Sequence, residues 1–73
     1  MMSYEEFYQA VEESTVKDLE IYGEDAARKF VKSEEVNIKG AYRTAKERYE
    51  QGEKRAFEQE IPSVSYCLYM CYE

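Results

Sequence analysis

The chain has 73 residues, sixteen acids, ten bases and no histidine, giving a formal charge of −6 and the length of one domain spanning 1–73. Two cysteines are too few for a disulfide-dense scaffold, and without histidine they argue against a complete zinc site within one chain. The acidity argues against direct nucleic-acid binding, which needs a cationic surface, and no run approaches the ~20 apolar residues of a bilayer-crossing helix.

A chain this short buries only about 60% of its unfolded surface, so regular helix packing or oligomerisation has to supply stability. Met1 to Tyr4 lead directly into glutamates, with no basic or apolar leader. The expectation is a soluble, cytoplasmic protein with reduced thiols.

The first predicted helix starts after Ser3. Ser3 and Glu6 have the spacing of a capping box, in which hydroxyl and carboxylate satisfy each other's backbone N–H. Tyr4, Phe7, Tyr8, Val11, Thr15, Leu19 and Tyr22 then recur at three- and four-residue steps and form one stripe. Gly23 stands where a C-terminal cap belongs. Ser14, Thr15 and Val16 are poor helix formers, and Thr15 with Asp18 offers a second capping box, so a break near Ser14 is the alternative. A short second helix, about 24–32, opens on Glu24 and Asp25 and closes on Arg28, Lys29 and Lys32, which suits the helix dipole at both ends. Ser33 to Glu35 reads as a connection.

The third predicted helix starts after Asn37, a good N-cap residue, and runs to about Gln59. Its stripe is Ile38, Ala41, Tyr42, Ala45, Tyr49, Gly52, Ala56 and Phe57. The small members allow close approach of another backbone, and Gly52 marks a kink or close contact. Lys39, Arg43 and Lys46 share an outer face. Pro62 ends the helix and biases Ile61 towards extended backbone. The apolar, Tyr/Cys-rich tail, 63–73, fits two templates. Val64, Tyr66, Leu68, Met70 and Tyr72 alternate as in a strand, while Val64, Cys67, Leu68 and Cys71 fit a helix. The fold expected is mostly α: three helices with this tail docked on them as a short helix or strand, or on a partner.

Catalytic chemistry has little to work with. Histidine, the usual proton shuttle, is absent, and no glycine loop can cradle phosphate. The adjacent glutamate pairs diverge by about 100° on a helix, and so short a chain has little room for a pocket of ~300 Å³. Cys67 and Cys71 share a face at four-residue spacing and read as buried small apolar residues. Two chains together offer four cysteines, so a metal site shared across a dimer is the third reading. No cofactor is implied.

Charge and tyrosine point to binding instead. Residues 1–25 carry −7, residues 26–55 carry +4, and residues 56–73 carry −3. Glu6, Glu13 and Glu20 recur every seven residues, a row of carboxylates ~10 Å apart. Beside Tyr4 and Tyr8 such a row can imitate a phosphate backbone, though an ordinary solvated helix face has the same pattern. Eight tyrosines supply large rings with polar tips, a combination that suits interfaces. Tyr66, Leu68, Tyr69 and Tyr72 crowd a tail whose two faces are both apolar. In size, acidity and tyrosine content the chain resembles the small inhibitors that phages and mobile elements encode, anti-CRISPR proteins and DNA mimics among them.

The expected function is therefore a non-enzymatic inhibitor or regulator of a larger, nucleic-acid-handling protein. It would engage a basic surface through Tyr4, Glu6, Glu13, Glu20, Tyr66, Leu68, Tyr69 and Tyr72. The alternative is a structural homo-oligomer, such as a homodimer, assembled through the tail.

Overall fold

In the computed structural model, which describes residues 1–72, the chain is all-helical in its regular elements. Helix α1 spans Tyr4–Asp18. The capping box forms as the spacing predicts: Ser3 N donates to Glu6 Oε1 at 2.9 Å, and Glu6 N donates to Ser3 Oγ at 3.2 Å. Hydrogen bonding from Ser3, its backbone N–H first and then its hydroxyl, holds the Glu6 carboxyl below its usual pKa. No break occurs at Ser14. Thr15 Oγ1 donates back to Val11 O at 2.8 Å, so the hydroxyl finds its partner within the helix instead of capping a new one. The α-helix stops at Leu19 and tightens into a 3-10 turn, Glu20–Tyr22, before Gly23 at φ 92°.

Helix α2 is Glu24–Ser33, and Glu34 alone separates it from α3, Glu35–Glu50. The predicted N-cap at Asn37 is corrected here. Asn37 lies inside α3, where its amide donates to Glu34 Oε2 at 2.8 Å. The single helix expected from Asn37 to Gln59 is also corrected. It ends at Glu50 because Gly52, at φ 104°, supplies the left-handed residue of a Schellman cap. Glu53 N donates to Arg48 O at 3.1 Å, and Gly52 N to Tyr49 O at 3.0 Å. The Arg48 side chain straps the turn, reaching Glu53 Oε2 at 2.8 Å and Gln59 Oε1 at 2.7 Å.

Helix α4, Ala56–Tyr72, carries Pro62 in its interior. As far as Tyr72 the tail is thus the second half of a helix, not a strand, and residue 73 lies outside the described residues. Proline removes one backbone donor, which costs about 3 kcal/mol in a helix interior. Pro62 is exposed, and so is Glu58, whose carbonyl would have accepted that bond. Buried Phe57 before the proline, and Val64 and Leu68 after it, hold both halves in place.

Helix α4 packs most extensively on α1 and α3. The core is Phe7, Val11, Val31, Ile38, Ala45, Phe57, Val64 and Leu68. Phe57 is its aromatic hub, with ring centroids 6.3 Å from Phe7, 5.5 Å from Tyr42 and 5.6 Å from Tyr49. Ala45 and Ala56 are fully buried, as their place in the small-residue stripe requires, whereas Gly52 is exposed in the turn. At the α1–α4 contact Ser65 Oγ lies 3.2 Å from Thr15 Oγ1, 3.0 Å from Ser14 Oγ and 3.3 Å from Asp18 Oδ2. No described buried side-chain nitrogen or oxygen lacks a partner. No described helix is long and apolar enough to cross a membrane.

Candidate functional site

Room for a ligand is larger than chain length led us to expect. A groove of about 440 Å³ runs where α1 meets the α2–α3 corner. Tyr4, Glu5, Tyr8, Gln9 and Glu12 line it from α1, facing Lys32 of α2 and Glu35 of α3. The α1 members lie three and four residues apart, so one helix face presents them. Three carboxylates against one ammonium leave the groove acidic. Glu12 also holds Arg28 at 2.9 Å, an ion pair that ties α1 to α2 at the groove's edge.

Tyr4 and Tyr8 form the aromatic wall. Their centroids are 6.1 Å apart at an interplanar angle of 54°, and both rings are half-buried. Tyr4 also meets Tyr42 edge-on at 5.6 Å, and its hydroxyl donates a long 3.5 Å bond to Glu35 Oε2. Burial first, and then the Glu35 carboxylate, push the Tyr4 phenol up to about 12. Burial, then Glu12 and Glu35, also raise Tyr8. Burial opposes charge of either sign, but the carboxylates that add to these shifts, Glu35 at Tyr4 and Glu12 and Glu35 at Tyr8, favour a positive one. Carboxylates beside tyrosine faces are the surroundings that Lys, Arg and other organic cations prefer.

The eight residues singled out from sequence do not converge. Tyr4 is in the groove. Glu6 caps α1 instead. Glu13 is exposed but lies one residue beyond Glu12, about 100° around the helix from it. Glu20 belongs to the 3-10 turn, so the seven-residue row loses its third member where α1 ends. Leu68 is 2% exposed, and its apolar surface belongs to the core. Tyr69 is half-buried, and Tyr72 packs edge-on against Tyr22 at 4.9 Å and Phe30 at 4.8 Å. Tyr66 alone of the tail group is mostly exposed, at 62%. Cys67 and Cys71 are exposed rather than buried, which corrects their reading as core residues. No group of three or more metal-binding side chains occurs among the described residues.

Glu5, Tyr8, Glu12 and Glu35 are not among the eight residues expected to bind. The first three carry a signal, since with Tyr4 and Gln9 they repeat at helical steps. Glu35 carries none, because α3 brings it from 31 residues beyond Tyr4. No family model, curated protein or solved structure matches the chain, so the chemistry of the groove is argued from its own residues.

Proposed function

We propose that this chain is a non-catalytic protein-binding protein that takes a basic segment of a larger partner into the acidic groove of Tyr4, Glu5, Tyr8, Glu12 and Glu35, and so blocks or regulates that partner. The groove itself carries this reading: three carboxylates around two half-buried tyrosine rings. An arginine or lysine side chain placed there gains charge attraction and ring-face contact together. Exposed Glu13 and the net charge of −7 over residues 1–25 extend the same field and would steer a basic partner inward. A nucleic-acid-handling protein is the expected target, because its phosphate-binding surface is cationic. The likeness in composition to phage and mobile-element inhibitors supports the same reading.

The test is calorimetric titration with an arginine-rich peptide at low and high salt. Saturable binding that weakens steeply with salt, and weakens about tenfold or more in Glu5→Gln/Glu35→Gln, supports the groove. Binding untouched by both salt and the double variant would overturn it.

A second reading, self-assembly through the outer face of α4, draws support from Tyr66 at 62% and Met70 at 54% exposure, four residues apart beside exposed Cys67 and Cys71. Light scattering tests it. Tyr66→Ser/Met70→Ser should dissociate such an assembly, and a wild-type monomer at high micromolar concentration refutes it.

A further inference from the structure

A second groove, of about 300 Å³, adjoins the acidic one and shares Tyr4 with it; its other lining residues are Lys39, Tyr42, Arg43 and Lys46. Its charge is opposite. None of these three bases is in an ion pair among the described residues, whereas Arg28, Arg48 and Arg55 each hold a carboxylate. Glu35, Lys39, Tyr42 and Lys46 recur along α3 at steps of four, three and four residues, which is a single helix stripe. The two grooves therefore lie along one side of α3, acidic at its N-terminal end and basic beyond, with Tyr4 at the junction.

A purely cationic ligand satisfies half of this face and is repelled by the other half. A nucleic-acid backbone meets the reverse problem. The Tyr42 ring is also unavailable for stacking on bases, since it packs against Phe7 and Phe57 and its hydroxyl donates to Met2 O at 2.7 Å. What matches the whole face is a surface carrying both signs in the opposite order. The chain has that surface: a two-fold axis through the junction sets each acidic half against a basic half.

We propose that a second copy of this chain docks on this face, with Glu5, Glu12 and Glu35 of each copy opposite Lys39, Arg43 and Lys46 of the other and Tyr4 near the axis. A stable interface removes about 800 Å² per partner, roughly a sixth of the 4953 Å² this chain exposes. The inference rests on the same acidic groove as the proposed function and adds a regulation: a basic partner and the second copy compete for it.

Sedimentation velocity is the test, on the wild type and on two charge-reversed variants, Lys39→Glu/Arg43→Glu and Glu5→Lys/Glu35→Lys. The expected wild type self-associates at micromolar concentration and dissociates as salt rises. Each variant alone is a monomer, and an equimolar mixture of the two forms a heterodimer. The neutral variants Lys39→Gln/Arg43→Gln and Glu5→Gln/Glu35→Gln should weaken association about tenfold or more, and they serve if a reversed variant fails to fold by circular dichroism. A wild-type monomer at high micromolar concentration overturns the inference. So does association that survives Lys39→Glu/Arg43→Glu, or that Tyr66→Ser/Met70→Ser abolishes. A monomer that still binds the arginine-rich peptide overturns the dimer and leaves the groove reading standing. A salt-sensitive dimer that ignores the peptide, even when dissociated by dilution, does the reverse.

Discussion

Helix α1 has two sides, and they are built differently. Towards α4 it is closed. Phe7, Val11 and Thr15 are fully buried, and the Thr15 and Ser65 hydroxyls satisfy each other and their neighbours. Towards α2 and α3 it is open. Tyr4 and Tyr8 are half-covered, and charged side chains line the remaining space. A 73-residue chain has enough apolar surface to seal one side of a helix; the other side keeps rings with polar tips and stays accessible. The closed side should govern stability, and the open side should govern binding.

That contrast can be broken by mutation. The largest expected effect is at Phe57 on the closed side. Phe57→Ala removes the ring on which Phe7, Tyr42 and Tyr49 pack and should cost about 3–5 kcal/mol, read by urea denaturation. A domain this small has little more than that to lose. Next is Pro62→Ala, which restores a missing helix bond and should raise stability by up to about 3 kcal/mol; no gain would mean that α4 has adapted fully to its proline. Ser65→Ala withdraws one hydroxyl from the α1–α4 contact and should cost about 1 kcal/mol, since Thr15 keeps its bond to Val11.

The smallest effect tests the open side. Tyr4→Phe deletes only a 3.5 Å bond and should change stability near neutral pH by less than about 0.5 kcal/mol. A loss matching that of Ser65→Ala would erase the distinction between the two sides. Alkaline pH makes Tyr4 visible. Its phenol ionises near 10.0 in the unfolded chain and near 12 in the folded one, so above pH 10.0 the unfolded chain holds fewer protons. The Tyr4 contribution to stability is present below pH 10.0 and is lost as pH rises towards 12. Denaturation midpoints of the wild type should therefore fall more steeply across that window than those of Tyr4→Phe. Equal slopes would show that Tyr4 does not sense its neighbours.

Helix content was legible because it rests on local physics. The capping box at Ser3 and Glu6, the stripe from Phe7 to Leu19, and the acids and bases at the two ends of α2 act within one or two turns. The misreadings came where distant packing decided. Gly52 fits a helical stripe as well as it fits a cap, and only the turn back to α4 makes it the cap. Pro62 stops an isolated helix, but Phe57, Val64 and Leu68 bury enough on either side to carry α4 through it. Asn37 is a good N-cap in isolation, yet the near-continuous passage from α2 into α3 leaves it inside a helix.

The candidate site divides in the same way. Tyr4, Glu5, Tyr8 and Glu12 share a face of α1, and helical spacing alone places them together. Sequence likewise determined that the chain would be helical, acidic and free of histidine. Tertiary structure decided which acids line the groove. It left Glu20 in a 3-10 turn, and placed Glu35 beside Tyr4 and the bases of α3 beyond it. Spacing along a helix is fixed by 3.6 residues per turn, but the face another helix presents is fixed by what the core buries, and that is settled only when all four helices meet.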